Sequence, residues 1–148
     1  MPFRRSLYSW IAVAFFVAGC ATHPEPPADT IRKEMAALRD AIDKAVKDPE
    51  RAEQARQQSV AMETDLLALE QAVYQSSIEL RALNARPDAS RADFDAALDK
   101  FDGTRANLRQ RIVDQHLALV ASTTADEWKA LFPYESRAML ASVRIPQR

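Results

Sequence analysis

Large apolar side chains change their spacing twice along this chain. A largely apolar run, Leu7 to Val17, interrupted at Ser9, is followed by a proline-rich stretch with no large apolar residue; from Ile31 onward, apolar residues recur three and four apart. The last pattern is that of helices that bury one face. Ile31, Met35, Leu38, Ile42 and Val46 form one stripe and predict a first helix beginning after Asp29 or Thr30, either of which can cap it. Asp48-Pro49 ends that helix and starts another, because Asp caps well and the missing N–H of a first-turn Pro has no partner to lose.

The second helix, about Pro49 to Ala85, carries the longest pattern: Ala52, Ala55, Ser59, Met62, Leu66, Leu69, Val73, Ser76, Leu80 and Leu83. This is a heptad seam, and roughly 50 Å of it needs an apolar partner. Ser59 and Ser76 interrupt it with small polar groups suited to setting a register or a close approach. Pro87 forces a turn between Asn84 and Ser90, and Ser90 with Asp93 resembles a capping box for a third helix. Its seam reads Phe94, Leu98, Phe101, Arg105, Leu108, Ile112, Gln115 and Leu119. A short turn leaves consecutive helices adjacent, so helices two and three are predicted to form an antiparallel hairpin.

Thr124 to Glu127 is a further capping box, opening a short helix with Trp128, Leu131 and Phe132. Pro133 is expected to close it, and its two aromatics to plug the open end of the hairpin. Residues 136–143 are expected to add a turn or two, and residues 144–148 to form a tail. The predicted fold class is therefore all-α: a long antiparallel hairpin with shorter flanking helices, coiled-coil-like or a small four-helix body, in one domain over residues 31–143. No solenoid-type repeat is visible.

Composition narrows the function classes. Hydrophobic residues make up 47% of the 148 positions and charged ones 28%, with only two glycines, a balance that favours long helices over sheet. Setting aside Arg4 and Arg5, the chain from Cys20 onward has 18 basic and 21 acidic side chains. Because these charges are interleaved, no stripe of one sign is available to neutralise a phosphate backbone, and nucleic acid is excluded as the expected partner.

The first nineteen residues combine a basic start, the eleven-residue apolar run and Val17-Ala18-Gly19 before Cys20, the architecture of a signal peptide. The run falls short of the about 20 residues of a spanning helix. Cys20 is the sole cysteine, so an intramolecular disulfide is impossible and the thiol needs another use. Val17-Ala18-Gly19-Cys20 resembles the lipobox of bacterial lipoproteins; the alternative is an ordinary secretory leader that leaves a free thiol. The resemblance implies lipidation at Cys20, a mature chain beginning there, and several acyl chains holding it to a membrane. In that family the usual inner-membrane retention signal places Asp after the cysteine; here Ala21 follows, which implies the periplasm-facing outer membrane of a Gram-negative cell. Wall-linked members of the family end in Lys, whereas this chain ends in Gln147-Arg148. Residues 20–30, with Pro24, Pro26 and Pro27, read as a tether reaching up to about 30 Å at roughly 3.1 Å per residue.

Candidate chemistry is sparse. His23 lies in the tether, leaving His116 as the only histidine of the body; Asp114 lies on another face and position 120, one turn on, is Val. No metal or other cofactor is expected, and His116 reads better as a satisfied or partly exposed histidine. Gly103 is the only glycine after the leader, so there is no phosphate loop, and no catalytic triad has strand ends to position it. Glu63, Glu70, Glu79, Asp95 and Asp99 read as solvated helix faces rather than an acid–base pair. Gly103 beside Phe101 and Arg105 suggests either a bend with a contact surface or simple tolerance, with Arg105 snorkelling to water.

The exported helical body and Thr123-Thr124-Ala125-Asp126-Glu127-Trp128, after a helix containing His116, resemble the periplasmic Spy and CpxP chaperone group and the related heavy-metal sensors. Thr123 stands in place of that group's Leu, and Trp128 comes one position after the place of its Gln. Over residues 31–132 the resemblance implies a curved helical cradle, often dimeric, that binds unfolded clients or a signalling partner.

The sequence thus points to a membrane-anchored helical module, not an enzyme, that binds a protein partner or client and can homodimerise. Phe94, Phe101, Arg105 and Leu108 are its candidate binding face. A coiled-coil envelope spacer is the main alternative; a metal-responsive sensor or an enzyme is a more distant one.

Overall fold

A computed structural model describes residues 26–144 and shows an all-α protein of four helices: α1 (Pro27–Ala45), α2 (Pro49–Asn84), α3 (Arg91–Ala121) and α4 (Ala125–Ser142). The expected signal peptide, Cys20, the tether up to residue 25 and the tail from residue 145 lie outside the described residues.

Local chemistry sets the boundaries. Asp48 accepts a 2.9 Å hydrogen bond from the Arg51 backbone N–H, with Pro49 in the first turn of α2. Ser90 and Asp93 at α3, and Thr124 and Glu127 at α4, form reciprocal capping boxes. The first helix departs from expectation. It starts at Pro27 with no side-chain cap, and Asp29 lies inside its first turn, because a proline preset to helical φ needs no N–H there.

Pro133 does not close α4, which runs on to Ser142. An interior proline costs a helix about 3 kcal/mol. Here Leu131 before it and Glu135, Ala138 and Ala141 after it are all buried, so packing on both sides of Pro133 offsets the lost hydrogen bond. Trp128 packs on the core and against the His116 ring, while Phe132 is 52% exposed and plugs nothing.

The helices alternate in direction. Asp65 pairs with Arg111 and Glu79 with Lys100, which sets α2 and α3 antiparallel. Pairs Arg39–Glu63 and Asp43–Arg56 set α1 antiparallel to α2, and Glu34–Arg137 at 2.7 Å joins the start of α1 to the end of α4. Arg51 grips Glu127 at 2.7 Å and also donates to the Ser122 carbonyl, tying the start of α2 to the α3–α4 turn.

α1 and α4 are half the length of α2, so they cover only part of the hairpin. Ala52, Ala55, Met62, Leu66 and Leu69 of α2 meet Ile31, Met35, Leu38, Ile42, Leu119 and Leu131 in one core. Past Leu69 no residue of α2 is buried, and before Leu108 only Ala97 of α3 is. The molecule is a four-helix base from which residues 74–104 project as a two-helix arm.

Candidate functional site

Where the base stops and the arm begins, α4 ends, and no described residue covers the hairpin seam beyond it. The result is an open groove with a cavity volume of about 650 Å3, within the range of binding clefts. Leu66, Leu69, Val73, Ser76, Ser77 and Leu80 of α2 form one wall, and Leu98, Phe101, Arg105, Arg109, Ile112 and Val113 of α3 the other. Met139, Ser142 and Val143 close the end at α4. Leu98 is 43% exposed, Val113 42% and Val143 58%, so the apolar surface is continuous with solvent.

The groove's charge is one-sided. Arg105 and Arg109 lie one helical turn apart on the α3 wall, and no lining residue among the described ones is acidic. Arg105 stacks 5.8 Å above the Phe101 ring and pairs with Asp102 at 3.3 Å. Arg109 has no hydrogen-bond or ionic partner among the described residues.

The four residues predicted for a binding face do not act together. Phe101 and Arg105 line the groove, while Phe94 is half-buried farther along the arm and outside it. Leu108 is buried in the core: α1 and α4 cover that stretch of the seam, so it offers no free surface. Gly103 interrupts nothing; α3 runs through it, and a methyl group added there would meet no atom within 4 Å. Ser76 lines the groove, whereas Ser59 is buried with its hydroxyl satisfied by the Arg56 carbonyl at 2.8 Å.

Two buried carboxylates were not legible in the seams. Asp65, 8% exposed, accepts two-pronged bonds from Arg111 and a 2.8 Å bond from Gln115. The Arg111 bonds hold its carboxyl below the usual range against the opposing effect of burial. Glu135, 1% exposed, meets Nδ1 of His116 at 2.9 Å, and burial pushes its carboxyl up while His116 opposes that shift. The His116 ring in turn meets Trp128 edge-on at 5.4 Å.

Their signal lay in period. Asp65 is three residues past Met62 on the same face, and Glu135 is four past Leu131, a position expected to be irregular once Pro133 was taken as a stop. Both pairs cross-link helices, α2 to α3 and α3 to α4, and neither borders the groove. Asp114 faces away from His116 and accepts from Gln110 instead. Among the described residues no three His, Cys, Asp or Glu side chains are grouped to hold a metal ion, and no helix is long and apolar enough to cross a membrane.

Comparison with protein-family models, with curated proteins and with solved structures found no match for this chain.

Proposed function

We propose that this chain is a lipoprotein acylated at Cys20 and anchored on the periplasmic side of the outer membrane of a Gram-negative bacterium. In this reading its helical body is a protein-interaction module, chaperone-like or an accessory subunit of an envelope complex. One observation carries it: the apolar groove between arm and base, uncovered because α4 stops at Ser142 while the hairpin seam continues.

The placement of the first helix supports the anchored arrangement. α1 begins beside the end of α4, so Pro26, where the described residues start, stands at the end of the base from which the arm projects. Five residues lie between Cys20 and Pro26, a reach of at most about 20 Å, shorter than a tether lasting to residue 30. The arm rises over about 16 Å from Val73 to Asn84. Arm and groove therefore stand close to the anchoring surface.

The spacer alternative needs the α2 seam free to pair with a second α2. That seam, from Ala52 to Leu69, is filled by the chain's own helices, which favours the module. The His116–Glu135 pair has the residue types of an acid–base couple but lies outside the groove, which favours a binding body over an enzyme.

Two experiments test the reading. Intact mass of the membrane-extracted protein should show acylation at Cys20, and Cys20→Ala should release the protein from membranes; equal membrane retention of that variant would sink the anchor. A photo-reactive residue at position 98, in the groove, should cross-link a defined envelope protein or a set of unfolded ones in the native host. The same residue at position 60, exposed on the opposite part of α2, should not; indistinguishable products from both would contradict the module.

A further inference from the structure

We propose that the groove takes an amphipathic helix whose apolar stripe is flanked by carboxylates. This rests on the interaction-module reading and specifies its partner.

The shape comes from α4. In the base, α4 packs chiefly on α1 and reaches the hairpin with Leu131, Glu135 and Ala138 buried; past Ser142 the hairpin offers the same kind of surface with no described residue on it. Val73 and Leu80 of α2 continue on the period of Leu66 and Leu69, and Leu98 and Phe101 of α3 face them across the groove. A trough between two helices, open along one side, suits a third helix that presents residues at three and four spacing. An enclosed pocket would suit a small molecule better.

The charge comes from α3. Two guanidiniums and no carboxylate are among the described lining residues, on a body with 18 basic and 21 acidic side chains from Cys20 onward; Asp102, outside the lining, pairs with Arg105. Four arginines elsewhere on the body are engaged: Arg111 by Asp65, Arg51 by Glu127, Arg56 by Asp43 and Glu53, and Arg137 by Glu34. Arg109 alone of the groove's two cations has no partner of its own among the described residues, and it stands one turn from Arg105. Two cations at that spacing match carboxylates three or four apart along the edge of a docked helix, so the apolar wall supplies affinity and the arginines select sign and orientation.

The test uses the chain as the cell produces it, reconstituted in nanodiscs of neutral phospholipid. The probes are two labelled helical peptides that share one leucine stripe and carry either Glu or Lys along its edge. Fluorescence anisotropy should show the Glu peptide binding at least about ten-fold more tightly than its Lys twin, the scale of about 1.4 kcal/mol for two exposed charge contacts. Arg109→Glu should erase or reverse that preference, and Leu98→Glu should abolish binding of both. Both substitutions fall on solvent-facing side chains, and unchanged helical circular dichroism and melting of the variants establishes that they fold.

Equal affinity for the two peptides, lost in Leu98→Glu, would overturn the acidic partner and leave the module reading standing. A dimer that binds neither peptide and dissociates in Leu98→Glu would overturn it in favour of a second copy of this chain. Binding of a fluorescent fatty acid, but of neither peptide, would overturn it in favour of an amphiphile. A monomer that binds none of these would overturn it outright, and the cross-linking from position 98 then decides separately whether the module reading falls with it.

Discussion

The base and the arm are built from the same two helices and the same heptad period, yet they differ in what that period achieves. In the base, the seam positions from Ala52 to Leu69 and Leu108, Ile112 and Leu119 are buried, because α1 and α4 roof the α2–α3 pair. In the arm, Val73 to Leu83 and Phe94 to Arg105 repeat the period, and only Ala97 is buried. Two helices alone cannot bury a stripe as wide as the one these residues make. An apolar pattern therefore marks surface that needs a partner, and among the described residues that partner is supplied only as far as Ser142. Stability and recognition are thus assigned to different lengths of one hairpin.

The widest separation between the two regions should appear in core truncation. Leu119→Ala or Leu131→Ala removes a fully buried side chain of the base and should cost about 2–5 kcal/mol in denaturant unfolding. Leu98→Ala, in the arm, should change stability by less than about 1 kcal/mol. Equal costs would mean that the arm is packed as the base is.

Acid should act on the base next, through its closing knot. The Arg51 guanidinium and the Thr124 backbone N–H hold the Glu127 carboxyl down at about 2, below its ordinary 4.5. A depressed carboxylate contributes stability that is present above pH 4.5 and is lost as pH falls from there toward 2. Glu127→Gln should therefore flatten that limb of the urea midpoint against pH, without moving the arm.

Glu135 should slope the other way. Burial raises its carboxyl above 4.5, so the folded chain holds a proton that the unfolded chain releases. Stability should fall as pH rises from 4.5 through that raised value, and Glu135→Gln should remove the fall while keeping a polar partner for His116. An unchanged profile would mean that Glu135 does not titrate above 4.5.

The smallest effect belongs to the arm. Gly103 has helical surroundings with open space where a methyl would stand, so Gly103→Ala should stabilise the protein by up to about 1 kcal/mol. The gain should be concentrated in amide protection around residues 100–106.

Much of this architecture was legible because capping and period are local. Asp48, Ser90 and Thr124 name three helix starts, and the two seams predict the hairpin. Tertiary packing hid the rest. The burial that carries α4 through Pro133, and with it the buried position of Glu135, depends on α1 lying alongside. Of the candidate face, Phe101 and Arg105 could be read as groove residues; Leu108 could not be separated from them, since the same seam is covered at one position and open two turns away. Arg109 lay off the seam, and only the end of α4 reveals it as a groove residue.

Native-state hydrogen exchange, resolved along the whole chain, tests most directly the claim that one hairpin is divided into a stabilising base and an uncovered arm. Amides of residues 52–69 and 108–119 should exchange only at the free energy of global unfolding, and those of residues 74–104 through local openings of distinctly lower cost. Uniform protection along both helices would contradict the account, because it would mean that the arm is held as firmly as the core.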